Sequence, residues 1–401
     1  MSSGPAATRL PKGVCILATD IDGGAGGVQV QSRRLAAGFD RCGIRTIIMS
    51  RNYAGLPRRE HRDSVLILRS PVISRSAAAA NALLYLLCVV FWLIRFRKEY
   101  DVIQAQQMFG SAMAGLLVSR LLRKPVTVRV TSTGELGEVA YLRAMRGSAL
   151  RLRQLRNVRG WIALTQLMKE EIVSLGIPAE RVSIIPNSAE LPERTRLDPG
   201  VRAQYRRALG LADDIHVAVF TGRLSSEKGL DTLLDAWRRV LDGDPTAKLI
   251  LLGPGGAFRN VEAELRAQAT SLALGDSVEF RGHVDNTLDF LYASDTFVLP
   301  TRTEGMSNSL VEAMAAGAAI ITTAIPAHRG VIEHDVHALL IRPDDEEALA
   351  NAIVSIFHDP ALRARLGRAA RDRAERVHAF PRMLERYLDV YARVLDESQR
   401  R

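Results

Sequence analysis

The chain has 401 residues, 54 Lys and Arg against 44 Asp and Glu (net +10), with 47% apolar and 24% charged residues. Such values belong to a soluble globular protein of about two domains and exclude a disordered tail protein or a fibrous repeat. Three cysteines, Cys15, Cys42 and Cys88, form neither a C-x-x-C pair nor an even set, which points to the cytoplasm as a reducing compartment and away from a cysteine-based metal site.

Residues 1–13 lack an apolar h-region, so no secretory signal peptide is expected. Apolar runs then alternate with helical patterns. Val14–Ala18, Thr46–Met49, Val65–Leu68, Val102–Ala105, Val126–Val130 and Trp161–Leu164 predict buried strands in the first half. The second half repeats the pattern with Val217–Thr221, Lys248–Leu252, Ser277–Phe280, Thr296–Leu299, Ala319–Thr322 and Ala338–Ile341. This alternation is that of parallel sheets in two tandem Rossmann-like α/β domains. The expected boundaries are 1–190 for the first domain, 191–214 for a linker punctuated by Pro192 and Pro199-Gly200, 215–375 for the second domain and 376–401 for a C-terminal helix. From Pro360 onward two charged helices are expected, broken at Phe380-Pro381 because proline cannot continue helical hydrogen bonding.

Ala77–Ile94 is uncharged and flanked by Arg75, Arg95, Arg97 and Lys98. It reaches the length of a transmembrane candidate. A spanning helix would put neighbouring strands of one sheet on opposite sides of a bilayer, so a buried or interfacial helix is expected instead. Charge is unevenly spread: residues 1–190 hold 27 basic and 13 acidic residues (+14), whereas 191–401 hold 27 and 31 (−4). The first half therefore suits an anionic partner. Nucleic acid is not expected, because zinc-finger and RNA-recognition motifs are lacking and aromatics for base stacking are only 5%. Arg143, Arg146, Arg151, Arg153, Arg156 and Arg159 within Leu142–Arg159 predict a basic amphipathic helix that could meet an anionic membrane.

Chemistry concentrates in two loops. Strand Val217–Thr221 runs into Gly222-Arg223-Leu224-Ser225-Ser226-Glu227-Lys228-Gly229. Arg223 and Lys228, at the carboxyl end of a strand, can close on a diphosphate as planar fork and point charge. Strand Thr296–Leu299 leads to Glu304-Gly305-Met306-Ser307-Asn308-Ser309-Leu310-Val311-Glu312. There Ser307 or Asn308 can cap a helix whose free N–H groups face an anion. Glu304 and Glu312 can address opposite ends of one ligand.

Gly222-Arg223 with Lys228-Gly229, and Glu304-x7-Glu312 in an EG-x-S-x-x-x-x-E-A-M setting, resemble family 4 retaining glycosyltransferases of the GT-B fold. The resemblance extends to Val182–Asn187, Leu252-Gly253-Pro254-Gly255, Arg281-Gly282-His283-Val284 and Asp295–Pro300. It implies two Rossmann-like domains facing across a cleft, with the C-terminal helices crossing back to the first. It also implies transfer of a sugar from a nucleotide diphosphate sugar, and the basic first half with the apolar Ala77–Ile94 adds the expectation of a saccharide or lipid-linked acceptor, in polysaccharide or glycolipid synthesis at the inner face of the plasma membrane. Arg223, Lys228 and Glu304 would be catalytic, binding diphosphate and donor-sugar hydroxyls. Gly305, Met306, Ser307, Asn308, Ser309 and Leu310 would cradle phosphate and sugar, Glu312 would hold ribose, and Val284 would lie beside the base.

In the first half, amides at Gly26 and Gly27 could approach the donor phosphate. The spacing of that glycine cluster is not G-x-G-x-x-G, so no nicotinamide or flavin is expected. Asp20-x-Asp22 resembles a metal motif of another glycosyltransferase fold but reads as a polar turn, and neither an obligatory metal nor another cofactor is expected. Glu135 and Glu138 are candidates to orient the acceptor. Many relatives carry histidines where this chain has Gln104-Ala105-Gln106-Gln107. Glutamine cannot titrate. A rival reading is therefore a non-catalytic peripheral membrane protein that keeps a nucleotide-sugar pocket.

Overall fold

The computed structural model describes residues 10–22, 27–74, 76–134, 137–255 and 260–399. Two compact units emerge: the chain through Pro186 together with Pro381 onward, and Asn187–Phe380 between them. Every apolar run read as a strand is one.

In the first unit the elements are β1 (Gly13–Leu17), α1 (Gly27–Arg41), β2 (Arg45–Arg51), β3 (Arg59–Arg62), β4 (Val65–Ser70), α2 (Ala78–Arg95), β5 (Val102–Gln106), α3 (Gly110–Leu122), β6 (Val126–Arg129), α4 (Glu138–Ala144), α5 (Ser148–Leu155), β7 (Gly160–Ala163), α6 (Gln166–Val173) and β8 (Val182–Ile184). The sheet order is β3-β4-β2-β1-β5-β6-β7-β8, parallel except where β3 pairs antiparallel with β4. Helices cover both faces of a parallel sheet, so its central strands are apolar throughout rather than alternating. Each residue of β1, β5, β6 and β7 is buried.

Helix α2 is two-faced. Tyr85, Val89 and Leu93 are buried, while Leu83, Leu87, Phe91 and Ile94 remain exposed. It packs chiefly on α3 and is an integral layer of the unit. Among the described residues no helix is long and apolar enough to cross a membrane. The expected single helix over Leu142–Arg159 is corrected: α4 ends at Ala144, Gly147 turns the chain at φ 75°, and α5 begins at Ser148. A left-handed residue cannot sit inside an α-helix.

The second unit holds α7 (Val201–Leu209), β9 (Val217–Thr221), α8 (Leu230–Gly243), β10 (Lys248–Leu252), α9 (Glu262–Ser271), β11 (Val278–Gly282), α10 (Thr287–Ala293), β12 (Thr296–Leu299), α11 (Asn308–Ala316), β13 (Ile320–Thr323), β14 (Leu339–Ile341), α12 (Glu346–His358) and α13 (Pro360–Arg373). Its parallel sheet runs β11-β10-β9-β12-β13-β14. The strand order reverses between β9 and β12, and such a switch point leaves a crevice beyond the carboxyl ends of the strands.

The stretch expected as a linker, 191–214, instead contains α7 and belongs to the second unit. The reason is electrostatic. Asp295, fully buried just before β12, accepts hydrogen bonds from Arg196 (3.2 Å), Arg202 (3.1 Å), Arg206 (2.6 Å) and the amide of Val217 (2.9 Å). Burial alone would raise its pKa, yet the arginines hold the carboxyl below its ordinary value.

The last helix, α14 (Phe380–Gln399), returns to the first unit from Pro381 onward. Its Tyr391 rings against Phe39 at 5.7 Å and donates to Gln104 Oε1 at 3.3 Å, and Val390 and Val394 pack over Gly160. A break before Pro381 was expected. It falls at Ala379, extended at φ −62° and ψ 132°, and the proline stands in the first turn of α14, where it is tolerated.

Asp295→Asn strands buried guanidinium groups and is expected to destabilise the second unit by about 3–5 kcal/mol at pH 7. Because the folded pKa is depressed, this contribution is full above the ordinary aspartate value of about 3.9 and shrinks as pH falls through the lower folded value. Urea unfolding of both proteins across pH checks it; a pH-independent difference contradicts the charge account.

Candidate active site

Loops after β9 and β12 are built by close backbone approach. Gly229, at φ 65°, caps α8 where a β-carbon would lie 2.2 Å from the Pro300 carbonyl oxygen. Gly253, at φ 138°, follows β10 where a β-carbon would lie 1.8 Å from the Gly222 carbonyl oxygen. No other residue type fits either position. Further stitches join the two loops: the Glu227 carbonyl accepts from Arg302 N (2.8 Å) and Thr301 Oγ1 (2.9 Å). Arg302 also donates to the Ser226 carbonyl (2.7 Å), Asp231 (2.7 Å) and Asp344 (2.7 Å). Hydrogen bonding to Asp231 raises the Arg302 pKa.

The result brings together residues far apart in sequence. Lys228 Nζ forms an ion pair with Glu304 Oε1, both side chains being mostly buried. Arg223, 39% exposed, reaches Glu227 at 3.4 Å. Ser307 is the helix cap, its hydroxyl accepting from Leu310 N at 3.3 Å, so α11 starts at Asn308. Glu312, half-buried between buried Val311 and Ala313, lies one helical turn from Asn308 and shares its face. Gly305 is half-buried, while Met306 and Ser307 are buried. Val284, half-buried, follows Gly282, whose carbonyl accepts from Gly253 N at 2.7 Å. Two cations on one loop, each paired with a carboxylate, and a capped helix N-terminus after the neighbouring strand suit an anionic, hydroxyl-rich ligand.

Sequence reasoning missed two supports. Asn187 donates to the Met306 carbonyl (3.0 Å) and to Asn308 Oδ1 (2.8 Å), fixing the entry to α11. His328, on the turn Pro326–His328 after β13, is 1% exposed, with Glu304 and Lys228 close enough to act on it electrostatically. The buried Asn after Ile185-Pro186 is visible as a motif but its partner is not.

In the first unit Gly26 and Glu135 lie outside the described residues, and Gly27 opens α1 as an exposed residue. Asp20 Oδ1 accepts from Asp22 N at 3.0 Å, a local turn, and Asp22 engages the buried Arg69 at 3.0 Å. Among the described residues no cluster suits a metal ion. Glu138 is corrected. It is 3% exposed, and its carboxylate accepts from Met108 N (2.8 Å), Thr131 N (2.7 Å) and Thr131 Oγ1 (2.7 Å). Burial raises its pKa, and the oxygens hold the loops after β5 and β6 rather than facing an acceptor. Gln104 and Gln106 are likewise fully buried: Gln104 Oε1 accepts from Thr127 Oγ1 (2.5 Å) and Gln106 Oε1 from Arg129 (3.2 Å).

Known families match both units. The family model described as Glycosyl transferases group 1 matches residues 201–373, and that described as Glycosyl transferase 4-like domain matches residues 26–188. The chain is a family 4 glycosyltransferase of the GT-B fold. A D-inositol 3-phosphate glycosyltransferase of Catenulispora acidiphila is 27% identical over 398 residues, 94% of this chain and 93% of that one. Other curated relatives match over about half of their own length. Sucrose-phosphate synthase from Thermosynechococcus elongatus has the same fold, with a TM-score of 0.79 at 23% identity over 96% of this chain and 99% of that one. So does HepE of Anabaena in complex with UDP-glucose, with a TM-score of 0.75 at 21% identity over 96% and 99%.

Gly229→Ala in this glycosyltransferase should cost about 1–3 kcal/mol of stability through backbone strain and the Pro300 clash. It should also cut turnover, because Lys228 is the preceding residue. Thermal unfolding with steady-state kinetics checks both; an unchanged melting point would contradict the close approach.

Proposed function

We propose that the enzyme moves a sugar from a nucleoside diphosphate to a lipid-linked saccharide acceptor, with retention at the anomeric carbon, in polysaccharide or glycolipid assembly. The observation that carries the donor half is the Lys228–Glu304 pair beside the capped N-terminus of α11. Arg223 and Lys228 bind the diphosphate and neutralise charge as the sugar–phosphate bond breaks. Amides from Gly305 to Leu310 cradle phosphate and sugar, Glu304 accepts from sugar hydroxyls and Glu312 from ribose, with Val284 beside the base. The acceptor hydroxyl forms its bond to the anomeric carbon on the face the phosphate leaves, and its proton passes to the departing phosphate oxygen. This route asks no titration of Gln104 or Gln106. Two resident cations serve the departing charge, so the reaction needs no divalent metal.

Lys228→Ala should lower turnover by about two orders of magnitude or more with folding intact. Glu312→Gln should weaken free nucleoside diphosphate, whereas Glu304→Gln should spare it and damage transfer. Calorimetry, with product release assayed in the presence of a chelator, measures all of these. Equal loss of free-nucleotide affinity in both glutamine variants would contradict the division of labour.

The acceptor half rests on the first unit's surface. Leu83, Leu87, Phe91 and Ile94 on α2, with Leu117 and Leu121 on α3, are exposed large apolar side chains on two packed helices. Arg95, Arg97, Lys98, Arg120 and Arg123 follow at the ends of these helices and are exposed. An apolar face rimmed by cations complements an anionic lipid surface at the cytoplasmic side of the membrane, each basic residue adding about 1 kcal/mol before salt screening. Neither unit is read as spanning the bilayer. Wild type should sediment with phosphatidylglycerol vesicles at low salt and less with phosphatidylcholine, and the double change Leu87→Asp, Phe91→Asp should release it while the melting point holds. Wild type that ignores vesicles of both compositions would remove the membrane from the proposal.

A further inference from the structure

The loops after β9 and β12 do not exhaust the polar groups gathered at this end of the second unit. The turn after β13 brings a third, the imidazole of His328. The strand beneath it is tied to β12 by side chains: Thr322 Oγ1 donates to the Leu299 carbonyl at 2.7 Å and Thr323 Oγ1 to the Thr301 carbonyl at 2.5 Å. His328 is therefore held on the same frame that carries Glu304.

The ring's protonation is fixed by its surroundings. Nδ1 lies 2.9 Å from the Thr323 carbonyl oxygen, which can only accept, so Nδ1 carries the proton. Thr322 Oγ1 stands at 3.4 Å from the same nitrogen. Burial favours the neutral ring. Nε2 is then a lone-pair acceptor, and it is buried with no hydrogen-bond partner. An acceptor removed from water and left unpaired is costly to the fold, and a native structure that keeps one needs a reason. The charged groups acting on the ring are Glu304 and Lys228, the pair at the heart of the donor site.

We propose that His328 is a specificity residue of the donor site, its Nε2 accepting a hydrogen bond from a hydroxyl of the donor sugar. The proposal rests on the reading of Glu304 as the sugar-binding carboxylate. A hydroxyl is both donor and acceptor, so it satisfies Nε2 while Glu304 accepts from a neighbouring hydroxyl. A neutral acceptor at fixed geometry discriminates strongly against a sugar that lacks the matching hydroxyl, because both partners then stay unpaired.

The test measures binding of UDP-, GDP- and ADP-hexoses and of the free nucleotides to wild type, His328→Phe, His328→Met and His328→Gln, each checked for folding by thermal unfolding. The two apolar variants should weaken the intact nucleotide sugar about tenfold and leave the free nucleotide unchanged, and the glutamine, whose amide oxygen can accept, should restore part of the loss. A monodeoxy donor lacking the partner hydroxyl should bind wild type and His328→Phe alike. Unchanged affinity for the intact donor in the folded apolar variants overturns the proposal, as does an equal loss for the free nucleotide, which would make the role structural. Wild type that binds free nucleotide but gains nothing from the attached sugar overturns it together with the Glu304 reading. Normal donor discrimination by wild type with no effect of His328 leaves that reading intact and removes His328 alone.

Discussion

Between β9 and β12 the sheet of the second unit is joined by a short ladder, with Thr296 opposite Ala218 and Phe297 opposite Val219. Asp295 closes that junction from below. Its carboxylate bonds the amide that starts β9 while standing at the start of β12, and it draws three arginines from the 196–206 segment onto the same point. A charge buried at 0% exposure is tolerable only when fully partnered. The site depends on it, because the loops bearing Lys228 and Glu304 leave from the other ends of these two strands. A shift in register there would separate the ion pair.

The strands were legible because both faces of a parallel sheet are covered, so buried strands spell continuous apolar runs in either half. β3 was not, since Arg59–Arg62 is an edge strand of polar residues with its side chains largely in water. The pair Arg223 and Lys228 was legible from one loop's spacing, and Glu304 with Glu312 from another. What joins the loops was hidden: Arg302 meets Asp231 and Asp344, and Asn187 meets Asn308, across separations of tens to more than a hundred residues. His328 carries no local signal at all. Glu138 misled for a different reason, because an acid at a helix start looks solvated in sequence, while here two neighbouring loops donate to it from inside.

The glutamines of β5 are taken up by the interior of the first unit. Gln104 spends its oxygen on Thr127 and Tyr391, and Gln106 spends its own on Arg129. Both sit at zero exposure. A neutral amide can be buried among such partners at little cost, whereas an ionisable ring would add a desolvation penalty whenever it charged. The strand end therefore serves as scaffold.

The return of residues 381–399 to the first unit has a consequence for biogenesis. Residues 187–380 are inserted within the first unit, and the sheet and helices described for them are complete in the chain before the body of α14 has been made. The first unit is in the opposite position: Phe39, Gln104 and Gly160 emerge before the inserted unit, yet their partners Tyr391, Val390 and Val394 emerge only after it. During synthesis the inserted unit can close while the earlier one still presents an open apolar flank beside its sheet. The order of folding would then run against the order of the chain, and the interval before α14 docks is when a chaperone would have most to cover.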